Sequence, residues 1–237
     1  MGYDIIIQAG QSNAEGCGLG KSKYHYIPKD NVLYLKADFT VEKVKDDEEF
    51  SNFSLSFADK YLENGYLKEG RKLLIIRGAV GATGFKNGHW GLNDPLYLHL
   101  RKLIDFSLKG ENNKLVALLW HQGEDDIDQR LMPQEYHNYL FNLFTSLRTA
   151  YDSSLPIITA DLVKEWRSLK EVEPYYLPIK KEIIKVIKEI KNADFVNTDD
   201  LLSNNQTIQN GDTIHFSRQA QHLLGQRLFE AFQKLIK

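Results

Sequence analysis

The sequence predicts an α/β fold in which a mainly parallel sheet is covered by helices on both faces. Three observations carry this. Ile5-Ile6-Ile7 is an unbroken β-branched run without the alternation of a half-exposed strand, so both of its faces read as buried. Further short apolar runs recur down the chain, separated by segments with helical spacing, which is the pattern of successive βαβ units. The chain of 237 residues, 42% hydrophobic and 26% charged, is long enough for a full core and ordinary for a soluble protein, so one domain over 1–237 is expected.

In chain order, the first run stops at Gly10 and hands over to Gln11-Ser12-Asn13-Ala14-Glu15-Gly16, small and polar residues that mark a strand's exit. Residues 31–35 read as a second strand, and the charged, unpatterned stretch 38–50 as a surface excursion. Helical spacing over 54–62 sets Leu55, Ala58 and Leu62 on one face, with Gly65 and Gly70 after its end. Strand three, 71–76, breaks into the loop Gly78-Ala79-Val80-Gly81-Ala82-Thr83-Gly84. A helix over 95–108 turns Leu96, Leu100, Leu103 and Ile104 inward. Strand four, 115–120, runs into His121-Gln122-Gly123-Glu124-Asp125-Asp126. Helix 134–151 carries an aromatic stripe that reads as core packing, 156–162 is a fifth strand, and 177–191 is a long helix. Phe195 and Val196 suggest a short further strand, and 217–236 is a closing helix. The expectation is therefore a central, mainly five-stranded parallel sheet.

Composition excludes several functions. A formal net charge of −2 leaves no electrostatic footprint for nucleic acid or an anionic membrane, and the lysines of 180–191 alternate with isoleucine and glutamate as on a solvated helix face. The single cysteine, Cys17, rules out an intrachain disulfide and a cysteine-based zinc site. Neither a signal peptide nor a bilayer-length apolar stretch is visible, so the expected location is cytoplasmic, or secreted with a leader that this chain lacks.

Four polar clusters follow strands or precede the last helix: Gly10-Gln11-Ser12-Asn13, Gly81-Ala82-Thr83, His121-Gln122-Gly123-Glu124 and Asp212-Thr213-Ile214-His215. Gly10 can adopt a backbone conformation closed to other residues, which lets Ser12 stand at the strand's mouth with its N–H and hydroxyl turned to one point. Taken alone, the same pattern is more simply a serine capping a helix. Together the clusters contain a nucleophile, a base, a group to orient the base and donors for an oxyanion, the parts that acyl transfer needs. Asp212 and His215, three residues apart in a turn, can set carboxylate beside imidazole, although such a pair is equally at home in a helix-entry turn. His121 rivals His215 as base, but no carboxylate is spaced to orient it as Asp212 can orient His215. The other histidines, at 25, 89, 99, 137 and 222, show no metal-ligand spacing.

In this order the clusters resemble the SGNH-hydrolase superfamily, and specifically its carbohydrate acetylesterase branch, which includes sialate O-acetylesterases and acetyl xylan esterases. Gly10-Gln11-Ser12-Asn13 is similar to the branch's first block, Gly81-Ala82-Thr83 to its second, Trp120-His121-Gln122-Gly123-Glu124 to its third and Asp212-x-x-His215 to its last; Trp90 and Pro95-Leu96-Tyr97 resemble the segment after the second. The resemblance spans nearly the whole chain. It implies a flavodoxin-like three-layer α/β/α sandwich that works without metal or cofactor on an acetylated carbohydrate. It also implies Ser12 as nucleophile, His215 as general base and then acid, and Asp212 as the carboxylate that holds the imidazole. Oxyanion donors would be the Ser12 N–H, a backbone N–H of Gly81 or Ala82, and the side-chain amide of Gln122. The branch usually has Gly-Gly-Thr where this chain has Gly81-Ala82-Thr83, so either Gly81 or Ala82 could present the N–H, and the alanine's methyl is tolerable unless that position needs a positive φ or the acyl group packs directly on it. Glu124 would brace the loop or the nucleophile turn, Gln11 and Asn13 would support the site or contact the substrate, and His89 and Trp90, in a loop expected to overhang the site, would contact the substrate. Two other readings differ in outcome: a lipase- or thioesterase-like hydrolase of the same superfamily, for which the loops lack an apolar segment to line an acyl tunnel, and an inactive carbohydrate-binding module.

Overall fold

A computed structural model describes residues 2–45 and 51–237. It opens with β1 (Gly2–Gly10), the short α1 (Ser12–Glu15), β2 (Val32–Leu35), β3 (Val41–Lys43), α2 (Phe53–Glu63) and β4 (Arg71–Arg77). Then come α3 (Pro95–Ser107), β5 (Lys114–His121), α4 (Glu124–Asp128), α5 (Pro133–Ala150) and β6 (Ile157–Ala160). The chain closes with α6 (Lys164–Arg167), α7 (Glu173–Glu189), β7 (Ala193–Val196), α8 (Asn204–Ile208) and α9 (Arg218–Leu235).

The strands form one sheet in the order β3-β2-β4-β1-β5-β6-β7, and every neighbouring pair is parallel except β2 with β3. β1 is the central strand, and its three isoleucines divide between two cores. Ile5 and Ile7 point to the side covered by α3, α5 and α7, with Leu100, Leu143 and Ile183 among their company. Ile6 points to the side of α2 and α9, with Phe57, Leu228 and Phe232. All three are fully buried, each such side chain contributing roughly 1.5–3 kcal/mol. This is a three-layer α/β/α sandwich. The helix entries are written locally: Pro opens α3 and α5, Asn52 caps α2 through the Ser54 N–H, and Ser217 caps α9 through the Ala220 N–H. α2 and α9 meet at Gly225, where a Cβ would stand 2.0 Å from the Phe53 carbonyl oxygen.

The sheet has seven strands, not mainly five. β7 makes the C-terminal edge a true parallel strand of four residues. β3 lies inside the stretch 38–50 read as a surface excursion, of which 46–50 fall outside the described residues. Its three residues are all exposed, so no alternation betrays it, and a turn at Asp38 and Phe39 folds it back onto β2 as a short charged edge. α7 begins at Glu173, before the expected 177, with Pro178 inside it; the proline removes one amide donor without ending the helix. Among the described residues no helix is long and apolar enough to cross a membrane.

Candidate active site

The carboxyl ends of β1, β4 and β5 bring three of the four clusters together. Gly10 ends β1 with φ +123°, and a Cβ there would stand 2.0 Å from the His121 carbonyl oxygen, so only glycine lets β1 and β5 run this close. The chain then turns at Gln11, whose N–H donates to that carbonyl (2.9 Å), and Ser12 begins α1. Ser12 is half-buried, and its backbone N–H has no partner among the described residues.

The fourth cluster arrives from the loop between α8 and α9. His215 Nε2 lies 2.9 Å from Ser12 Oγ, and its Nδ1 lies 2.9 and 3.0 Å from the two carboxylate oxygens of Asp212. With Nδ1–H donating to Asp212, Nε2 is left to accept the serine proton. Burial works against the charge on Asp212, but hydrogen bonds from Asn204 and His215 outweigh it, and its pKa lies below the ordinary carboxylate value. Asp212 therefore stays ionised into acid. Asn204 is fully buried and reaches both Asp212 (2.8 Å) and the Cys17 carbonyl (2.9 Å), tying the acid to the segment just after α1.

Asn13 fixes the histidine loop to the serine turn from the other side. Its amide nitrogen donates to the Ile214 carbonyl (3.0 Å) and to Glu124 (2.8 Å), while its oxygen accepts from the Phe216 N–H (3.0 Å). The residues on either side of His215 are thus both held by the neighbour of Ser12. Gln11 accepts from the Asp125 N–H through its side-chain oxygen (3.2 Å). Cys17 is held as the neutral thiol, since burial, then the charges of Glu15, Asp212 and Glu124, push its pKa up to about 11.

The second cluster lies against Ser12: a Cβ on Gly81 would sit 3.5 Å from that of the serine. The Gly81 N–H donates to the Glu15 carboxylate (2.8 Å), whereas the Ala82 N–H has no partner among the described residues. Ala82 stands at φ +54°, the left-handed region that glycine favours, so the methyl there carries a strain that the sequence could only pose as a condition. Thr83 links this loop to Trp90, whose Nε1 donates to the threonine hydroxyl (2.9 Å). Trp90 is fully buried against Trp120, so it braces the loop and does not face the site. His89 is half-buried, with Nδ1 accepting from the Gly84 N–H (3.3 Å).

Gln122 is 2% exposed and its carboxamide is engaged on both ends. Nε2 donates to Asp126 (2.6 Å) and lies 3.5 Å from the Thr83 carbonyl, while Oε1 accepts from the Tyr136 hydroxyl (3.2 Å). Asp126 also accepts the N–H groups of Phe85 and Lys86 (3.0 and 2.9 Å), and burial raises its pKa despite these bonds. It therefore pins the middle of the 81–90 loop. Asp126, Glu15 and Asn204 have tasks that no spacing in the sequence displays, because they hold backbone groups and side chains that only the fold brings to them. Among the described residues, no group of three or more His, Cys, Asp or Glu side chains converges on a point that could hold a metal.

A family model described as carbohydrate esterase, sialic acid-specific acetylesterase, matches residues 2–234. No curated protein matches the chain. Among solved structures, NanS superposes with a TM-score of 0.74 at 20% identity over 98% of this chain and 97% of its own. A protein of Arabidopsis thaliana gives 0.77 at 22% over 98% of both chains. A carbohydrate acetylesterase from Xanthomonas citri gives 0.67 at 16%, over 98% of this chain and 56% of its own. At these identities the superpositions establish the fold.

Proposed function

Since the chain belongs to the sialic acid-specific acetylesterase family of carbohydrate esterases, and is a carboxylic ester hydrolase on that ground, we propose that it removes O-acetyl groups from sugars through an acetyl-enzyme on Ser12. One observation carries the mechanism: the relay from Asp212 through His215 to Ser12, with 2.9 Å at each link. His215 takes the hydroxyl proton as Oγ attacks the acetyl carbonyl. The bond to the sugar oxygen then breaks, and the imidazolium returns its proton to that oxygen. Water attacks the acetyl-serine with His215 again as base, and acetate leaves. Asp212 holds the tautomer and offsets the imidazolium charge.

Negative charge grows on the carbonyl oxygen in both steps and needs donors that no other group has claimed. The Ser12 and Ala82 N–H groups meet that condition. Gln122 gives one amide hydrogen to Asp126 and turns the other toward the Thr83 carbonyl at 3.5 Å, so its present bonds favour a scaffolding role. The family's description makes O-acetylated sialic acid the first substrate to test. Hydrolysis of acetylated sugars, run beside 4-nitrophenyl esters of increasing chain length, tests the reading: kcat/KM should be highest for acetyl and fall with each added pair of carbons. A maximum at long acyl chains would instead favour a lipase- or thioesterase-like enzyme.

A further inference from the structure

A cavity of about 630 Å³ opens between α1 and the β2–β3 edge of the sheet. Glu15 and Val80 form the wall it shares with the nucleophile turn and the second cluster; Tyr34, Lys36, Glu42 and Arg77 line the rest with others. It lies at the carboxyl ends of β2 and β4, where ligands of open parallel sheets bind, and its volume is in the range of small-molecule sites.

Its chemistry is mixed. Lys36 and Glu42 approach to 3.7 Å across one side, both half exposed. Arg77 lies over the Tyr34 ring at 4.9 Å and donates to the Glu15 main-chain carbonyl. Glu15 spends one carboxylate oxygen on the Gly81 N–H and keeps the other without a partner. An acyl chain would want apolar walls, and a phosphate would want cations without carboxylates. A ring of hydroxyls, each able to donate and accept, suits interspersed ammonium, guanidinium and carboxylate groups.

We propose that this cavity is the subsite for the sugar ring of the substrate, with Glu15 accepting a sugar hydroxyl on its free oxygen while its other oxygen holds the Gly81–Ala82 loop beside Ser12. The proposal rests on the acetylesterase reading but is measured apart from it. Glu15 is thus a positioning residue that couples sugar occupancy to the loop that supplies the oxyanion donor.

The first experiment is the binding of free sialic acid, the deacetylated product, by ligand-observed NMR or calorimetry to the wild type and to the double variant Lys36→Ala/Glu42→Ala. This change keeps net charge and touches only surface side chains. Kd should rise about tenfold or more in the variant, a loss of one good polar contact. Equal Kd values, or no binding to the wild type, would overturn the subsite. Binding that depends on the cavity in a protein without esterase activity would overturn the acetylesterase reading and leave the subsite standing. The second experiment is kinetic. Glu15→Ala should lower kcat by about tenfold, and Glu15→Gln, whose amide oxygen can still accept from Gly81, should recover most of it. Equal kcat values in wild type, Ala and Gln variants would remove Glu15 from the coupling.

Discussion

His215 and His121 stand in segments that Asn13 ties together, each three residues from a carboxylate, and the two environments differ in ways that a motif cannot express. His215 and Asp212 are each about a quarter exposed and touch at 2.9 Å, and the imidazole's second nitrogen faces Ser12. His121 and Glu124 are 1% exposed and stand 3.7 Å apart, beyond hydrogen-bond distance, because Glu124 is turned to Asn13. The second nitrogen of His121 meets the Asp161 carbonyl at 3.2 Å. Equal spacing in sequence therefore does not make Glu124 the orienter of His121. What separates the two is access: one imidazole faces a hydroxyl at the surface of a cleft, and the other is enclosed between strands.

The comparison predicts opposite losses. His215→Ala should reduce kcat by about 10²–10⁴-fold with the melting temperature nearly unchanged, because a general base is lost from a half-exposed loop. His121→Ala should do the reverse. A buried ring and a bond to Asp161 disappear, costing on the order of 2–4 kcal/mol of stability, while kcat per folded molecule stays within about tenfold. Thermal melts and kinetics on the same preparations check this, and a large kcat loss at His121 with unchanged melting would break the comparison.

Gln122, next to His121, sharpens it further. With its carboxamide held by Asp126 and Tyr136, Gln122→Ala should lower the melting temperature by several degrees, as loss of a buried polar network costs about 1–3 kcal/mol. A fall in kcat of a hundredfold without a change in melting would make it an oxyanion donor after all.

An effect that is absent at neutral pH and appears only in acid concerns a third histidine. His222 is buried on α9, stacked on Tyr24 at 3.5 Å, with Gln226 at its Nε2 (2.9 Å). Burial, helped by Lys60, lowers its pKa from 6.5 to about 4. The folded pKa is thus below the unfolded one, so the unfolded chain takes up the proton first. Its share of stability is complete above about pH 6.5, declines as pH falls toward 4, and amounts to at most about 3 kcal/mol. His222→Phe should flatten the melting temperature over that interval, and an unchanged slope would assign the acid sensitivity elsewhere.

How much was legible follows from what each feature depends on. The isoleucines of β1 announced a strand buried on both faces because burial itself selects their type. The convergence of Ser12, His215 and Asp212 could be expected because two of them share one loop and the third follows a recognisable strand. β3 was invisible because its stability comes from pairing with β2, not from its own exposed residues. The tasks of Glu15, Asp126 and Asn204 were invisible for a related reason: each satisfies a partner brought close only by folding. The strain at Ala82 likewise appears only as a dihedral angle.

The central claim is that Ser12 forms the covalent bond. Incubation with a serine-directed organophosphate, followed by peptide mass spectrometry, measures this directly, since the reagent stops at the first covalent step. The account predicts one adduct per molecule, on Ser12, formed together with loss of activity and greatly slowed in His215→Ala. Modification of Cys17 or of another serine in step with inactivation, with Ser12 left free, would contradict it.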